Sequence, residues 1–294
     1  MSQTVLRIGN ALVAVRIRSG SRLYRLLERT RRFEIRASGR RAGPTEAALV
    51  LHAVEKARPA KIESLEVIYD SRSNWRICRR ANGNLLFSAE SGLAEVWPDV
   101  EAEFDQQYRR CRMRVSFGPL GPAPGVDPVD PLDFPLSHIL LAPVLAKRGA
   151  ILLHAAGLVA AGGGLVLAGS SGSGKSHETA RLVAGQECRS LNDEWVVIYP
   201  RGRRYLVSGT PWCAPPDLVA SKAVPIKKMV FLGGPANSRA RAGDAFLKLL
   251  QHAFVPVWDT RSTALIVRAC SRVSKEVVCE NVCARTPVDF RAPR

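Results

Sequence analysis

Aromatic side chains are scarce in this sequence, with Phe, Trp and Tyr making up 6% of its 294 residues. Together with the lack of zinc-finger spacing and of an RNP-type aromatic run, this removes the usual signatures of a nucleic-acid reader, and nucleic acid is not expected as a partner. Acidic residues are outnumbered, 26 against 43 Lys and Arg, which gives a formal charge of +17. The excess is +6 over residues 1–136 and +11 beyond them, so it forms no basic tail. It sets the sign of an attractive partner and nothing more. The cysteines number seven, an odd count, and only Cys279 and Cys283 lie close together. No second Cys or Cys/His pair completes a metal knuckle, so reduced cytoplasmic thiols are expected. The first apolar stretch is about six residues long, short of the roughly 7–15 of a secretory leader. The longest weakly polar run, Ala150–Gly169, holds His154 and the glycines Gly162, Gly163 and Gly164. It reads as buried strands around a turn, not as a membrane span.

Prolines and glycines place one clear seam, Gly118–Asp133, where five prolines and three glycines interrupt all apolar periodicity. Proline locks φ and removes a donor, so this is a linker or a surface crossing. The expected organisation is a smaller mixed α/β region over 1–117, the linker over 118–133, and a second domain over 134–290. In the first region, strands are expected at Ala11–Ile17, Phe33–Arg36, Ser64–Tyr69, Trp75–Arg79, Leu85–Ser88 and Arg112–Phe117. Helices are expected at Arg22–Arg31, Glu46–Lys56 and Gly92–Tyr108. After the seam, Pro135–Lys147 reads as a helix, and Ala150–His154, Leu158–Ala161 and Leu165–Ala168 read as strands.

The chemistry-bearing motif is Gly169-Ser170-Ser171-Gly172-Ser173-Gly174-Lys175-Ser176, which fits G-x-x-x-x-G-K-[ST] at every defined position. Its glycines let backbone N–H groups turn around phosphate oxygens, its lysine neutralises β/γ charge, and its serine can ligate Mg²⁺. A β-run precedes it and a short helical segment ending at Gly185 follows, so strand, loop and helix come in the required order. Asp193 follows Ser176 by only 17 positions, in Leu191-Asn192-Asp193-Glu194-Trp195, where the next β-run begins. A turn at Pro200–Arg204, a β-run at Tyr205–Ser208 and Gly209-Thr210-Pro211-Trp212 come next. This spacing predicts a hairpin-rich mixed sheet in place of a doubly wound parallel one.

The stretch LLHAAGLVAAGGGLVLAGSSGSGKS, followed by LNDEWVVIYP and SGTPW, resembles the catalytic domain of HPr kinase/phosphorylase. It resembles still more the shorter relatives found beside ribosomal-peptide maturation enzymes, the lasso-peptide kinases and SynChlorMet cassette proteins. The match covers roughly residues 137–290 and is strongest over 151–212. The resemblance implies a P-loop fold related to phosphoenolpyruvate carboxykinase. It also implies ATP and Mg²⁺ as cofactors, a precursor peptide or small protein as partner, phosphorylation of a Ser or Thr hydroxyl, and a homo-oligomer. By the same resemblance, Gly169–Ser176 cradles the phosphates and His154 lies near them. Lys175 holds the β/γ charge, Ser176 and Glu194 hold Mg²⁺, and Asp193 takes the proton of the attacking hydroxyl. The family pattern Leu-Ser-Asp-Asp stands here as Leu191-Asn192-Asp193-Glu194. A shift of one residue would put Asn192 in the base position, and Asn cannot act as a general base. Two readings therefore stay open, a peptide kinase and a non-catalytic ATP-binding accessory.

The remaining candidates read as structural. His52, His138 and His252 have no companions at ligand spacing. His177 and Glu178 fit a first helical turn, with Glu178 complementing the dipole. Pro211 and Trp212 read as packing. Arg239 and Arg241 lie in a polar loop, and Arg201, Arg203 and Arg204 at a turn tip.

Overall fold

A computed structural model describes residues 1–35, 47–54, 65–91, 98–117, 122–212, 214, 216–234, 237–283, 286 and 288. The architecture is mixed α/β and is dominated by two eight-stranded sheets. Two compact units divide the chain. The first comprises Met1–Leu6, Leu12–Leu27 and Glu34–Val144; the second comprises Arg7–Ala11, Glu28–Phe33 and Leu145–Arg294. Among the described residues, no helix is long and apolar enough to cross a membrane.

The first sheet contains β1 (Ser2–Ile8), β2 (Ala11–Ile17), β3 (Leu49–Ala53), β4 (Glu66–Asp70), β5 (Trp75–Arg79), β6 (Leu85–Ala89), β7 (Asp99–Phe104) and β8 (Arg110–Ser116). Its spatial order is β1-β2-β3-β8-β7-β6-β5-β4. Strand β8 shows how the sequence specifies it. Arg110 and Arg112 face solvent while Cys111, Met113 and Val115 are buried, the period of two that a half-buried strand requires.

The helices expected in this region are largely absent from its described residues. Within Glu46–Lys56, residues 49–53 form β3, held in parallel register between β2 and β8. Ala, Leu and Glu there favour a helix locally, but burial of Leu49, Leu51 and Ala53 in a central strand outweighs that preference. Within Gly92–Tyr108, Asp99–Phe104 is β7, and residues 92–97 lie outside the described set. Of Arg22–Arg31, only α1 (Glu28–Arg31) is helical. The chain before it is held by the bridge between Tyr24 and Val129 and by Leu27 N–H donating to Asp130 at 3.0 Å. The described part of the Pro/Gly seam is therefore packed chain and not a free tether. The expected strand at Phe33–Arg36 reduces to a single bridge at Glu34, and Arg36 lies outside the described residues.

Helix α2 (Leu136–Ala146) follows and is buried along its whole length. The second sheet contains β9 (Ile151–Ala160), β10 (Gly163–Ala168), β11 (Cys188–Asn192), β12 (Trp195–Arg201), β13 (Arg204–Gly209), β14 (Ala223–Gly234), β15 (Ser238–Arg239) and β16 (Cys279–Cys283). The expected strands 150–154 and 158–161 are one strand that changes partner midway. Residues 151–154 of β9 pair with β12, and its residues 157–160 pair with β11. Gly157 sits at the change, where a Cβ would come within 2.7 Å of the Val196 side chain. Hairpins β9–β10 and β12–β13 are antiparallel, while β10–β14 and β14–β16 are parallel. Pairings run β10-β9-β12-β13-β14 and return from β14 to β10, so these five strands close a circuit.

Helix α3 (Lys175–Ala184) covers a small core of Ala156, Leu158, Leu167, Leu182 and Val230. Helices α4 (Ala242–His252) and α5 (Thr260–Glu276) share the larger core with Leu153, Val166, Ile198, Val207 and Phe231. Asp259 caps α5, accepting from the amides of Arg261 at 3.1 Å and Ser262 at 3.2 Å. Burial pushes the Cys270 thiol up to about 12 and the Cys279 thiol up to about 11, so both are inert packing groups. Cys213 lies outside the described residues.

One titration follows from the first sheet. Arg16, His52 and Arg112 form a cross-strand row, with Arg16 Nη1 3.3 Å from His52 Nε2. Burial and then the charges of Arg16, Arg112 and Arg110 hold this imidazole below its ordinary 6.5. The unfolded chain therefore binds the proton more readily than the fold does. Stability from the neutral ring is complete above 6.5 and is lost as pH falls through the lower folded value. His52→Gln is expected to flatten the decline in urea midpoint on acidification below that pH; an unchanged slope contradicts the assignment.

Candidate active site

Three segments far apart in sequence bring their polar side chains together in the second unit. The loop Gly169–Ser176 leaves the end of β10 and enters α3. Its glycines are required for separate reasons. A Cβ on Gly169 would collide with the Ser173 side chain, whereas Gly172 and Gly174 have open space but φ of +79° and +90°. Those left-handed values favour glycine and turn the chain into a concave nest of amides. Gly174 forms the N-cap of α3, and no side chain caps that end. The first-turn amides, which have no partner within the helix, thus present donors and the positive end of the dipole. Ser170, Ser171 and Ser176 are exposed, and the buried Ser173 Oγ has no partner.

Lys175 opens α3 and is 8% exposed, yet it makes no ion pair within 4 Å among the described residues. Its Nζ lies 3.1 Å from His154 Nε2, and the same Nε2 lies 2.9 Å from Glu194 Oε2. One ring nitrogen cannot serve both partners at once. It either accepts from the Lys175 ammonium or carries a proton and donates to Glu194. Burial lowers the Lys175 pKa, opposed by the charges of Glu194 and Asp193. Burial raises that of Asp193, with Glu194 adding to the rise and Lys175 opposing it. Asp193 Oδ1 is itself buried and unpartnered.

Asn192 is held at the turn that leads into Asp193 and Glu194. It is fully buried and its amide is consumed by the backbone. Nδ2 donates to the carbonyls of Thr210 at 2.8 Å and Trp212 at 3.0 Å, while Oδ1 accepts from the amides of Glu194 at 2.7 Å and Trp195 at 2.8 Å. The Thr210 hydroxyl donates to the Trp195 carbonyl at 2.8 Å. The Ser208–Trp212 segment thus holds the turn that presents Asp193 and Glu194. Trp212, 1% exposed, is a packing residue, as its sequence context suggested.

Of the other sequence candidates, His177 is exposed, and Glu178 is buried against Arg181 and the Val288 amide at 2.8 Å. Arg201, Arg203 and Arg204 are exposed at the β12–β13 turn, and Arg239 and Arg241 are exposed before α4. His138 is buried beside Ser137 at 3.0 Å. His252 is different. The bridge between Leu153 and Ala253, with Phe254 N–H donating to Leu152 at 2.9 Å, lays the end of α4 along β9. His252 then stands beside His154, and the charges of His154 and Lys175 act on it. Trp195 and Phe254 complete this face, with ring centroids 5.1 Å between His154 and Trp195 and 6.3 Å between Trp195 and Phe254. No local sequence signal marks His252, because the pairing joins residues about a hundred positions apart.

Among the described residues, no cluster of three or more His, Cys, Asp or Glu could hold a metal unaided. The exposed Ser176 hydroxyl at the loop and the Glu194 carboxylate are oxygen donors of the kind that suit a Mg²⁺ bringing phosphate oxygens with it, and the glycine nest beside them agrees with that fit. No protein-family model and no curated protein matches this chain.

The role of Asn192 gives a stability prediction. Asn192→Asp places an acidic residue before Asp193 but removes the Nδ2 donor that reaches the Thr210 and Trp212 carbonyls. It is expected to destabilise the protein by about 2–4 kcal/mol in urea unfolding, the range for buried polar groups left facing acceptors. A stability equal to wild type would remove Asn192 from the role assigned to it.

Proposed function

We propose that this chain is an ATP-dependent kinase of the HPr-kinase-like class that phosphorylates a Ser or Thr hydroxyl on a peptide or small protein, in ribosomal-peptide maturation. The observation that carries the reading is the convergence of Lys175, His154 and Glu194, linked at 3.1 and 2.9 Å, with Asp193 beside them at the mouth of a glycine nest. The closed circuit of mixed strands that carries the loop is compatible with the HPr-kinase-like fold and unlike a doubly wound sheet.

The residues divide the work as phosphoryl transfer demands, where positioning and charge neutralisation dominate. The amides of Gly169–Ser176 and the α3 N-terminus bind the phosphates. Lys175 turns its ammonium to the β/γ oxygens and releases His154, whose Nε2 then donates to Glu194 and fixes that carboxylate. Ser176 and Glu194 would hold Mg²⁺, whose chemistry is neutralisation of charge on the phosphate oxygens. Asp193, with an unpartnered oxygen, accepts the proton of the attacking hydroxyl as its oxygen bonds the γ-phosphorus and ADP departs. The anchored Asn192 supports Asp193 as the base, and with it the enzyme over the accessory.

Incubation of the full chain with γ-labelled ATP, Mg²⁺ and an acidic precursor peptide tests this. Label is expected on the peptide and is expected to vanish in Lys175→Ala. Asp193→Asn is expected to reduce transfer by about 10²–10⁴-fold, the usual contribution of a general base, while ATP affinity stays within about twofold. Transfer at the wild-type rate by Asp193→Asn contradicts the assigned base. ATP-dependent peptide binding without label supports the accessory reading in its place.

A further inference from the structure

We propose that His252 is a second imidazole of the nucleotide site, contacting the terminal phosphate from the side of His154 away from Glu194. The inference rests on the nucleotide-binding reading above and adds a residue that the P-loop motif does not contain. Its basis is geometric. Strand β9 is flanked at His154 by Trp195 on one edge, in register, and on the other by the chain leaving α4. The antiparallel bridge Leu153–Ala253 makes His252 the residue opposite His154. His154 in turn lies 3.1 Å from the lysine that the motif directs to the β/γ oxygens. The two imidazoles therefore bracket the end of the site where the terminal phosphate belongs.

The electrostatics point the same way. Among the described residues, the charges acting on His252 are His154 from β9, Lys175 from the start of α3, and Lys248 one turn back on its own helix, all positive. Burial and these charges hold the His252 imidazole below its usual 6.5. Each of these charges would attract an anionic phosphate brought beside His252.

The test compares Mg·ATP with Mg·ADP on the full chain by equilibrium titration, because only ATP carries the phosphate in question. His252→Ala is expected to weaken ATP by about tenfold, the scale of one charge-assisted hydrogen bond, and ADP by less than about twofold. His252→Lys is expected to recover most of the ATP affinity by supplying a donor to the phosphate in its place. Equal losses for both nucleotides, or a lower melting temperature with both affinities unchanged, would overturn the proposal, since either would make His252 only the end of α4. If His252→Ala does not fold, His252→Phe, which fills the space without a donor, is held to the same ATP-selective loss. A wild-type protein that binds neither nucleotide overturns this inference together with the P-loop reading, whereas binding without selectivity overturns the inference alone.

Discussion

Four hydrogen bonds around one buried amide hold the candidate site together. Asn192 closes the turn between β11 and β12 through the amides of Glu194 and Trp195, and ties it to the end of β13 through the carbonyls of Thr210 and Trp212. An amide can do this because it donates on one side and accepts on the other; a carboxylate cannot. With the turn fixed, Asp193 and Glu194 face the loop lysine, and their own backbone is not free to relax. The residue that precedes the two carboxylates thus belongs to the support of the site.

Strand β9 supplies the second constraint. It carries His154, pairs with the strand that leads into the phosphate loop, and pairs with the strand that follows the acidic turn. Every distance in the site is therefore measured from one buried element, with Leu152, Leu153, Ala155 and Ala156 all at 1% exposure or less. Dense packing of this kind transmits little slack, which is what a site built on positioning requires. The loop itself is the opposite case. Ser170, Ser171 and Ser176 are exposed, Gly172 and Gly174 hold left-handed conformations, and no side chain caps the start of α3.

Legibility from sequence followed the range of the interactions. The glycine-rich loop, its strand and helix, and the antiparallel hairpins of the second sheet were readable because glycine, lysine and β-branched patterns act locally; the grouping of Lys175 with His154, Asp193 and Glu194 was an expectation of the resemblance, and Lys175, His154 and Glu194 do meet in the fold. The first sheet was half readable. Trp75–Arg79 and Ala11–Ile17 carry β-forming residues and form β5 and β2, but Leu49–Ala53 sits in an Ala/Leu/Glu-rich stretch whose local preference is helical and whose fate is decided by β2 and β8. Asn192 was visible as a departure, and its meaning depended on carbonyls 18 and 20 positions away. His252 gave no signal, since only the packing of α4 along β9 brings it to His154.

The account stands on one claim, that phosphate is bound at the loop by Lys175 and that His154, Asp193 and Glu194 respond to it. Amide and imidazole NMR shifts of the isotope-labelled full chain, titrated with Mg²⁺ and a non-hydrolysable ATP analogue, test it most directly. Saturable changes confined to Gly169–Ser176, His154 and Asn192–Trp195, and abolished by Lys175→Ala, are the predicted result. Saturation that leaves those resonances unmoved, or that survives Lys175→Ala unchanged, would contradict the account.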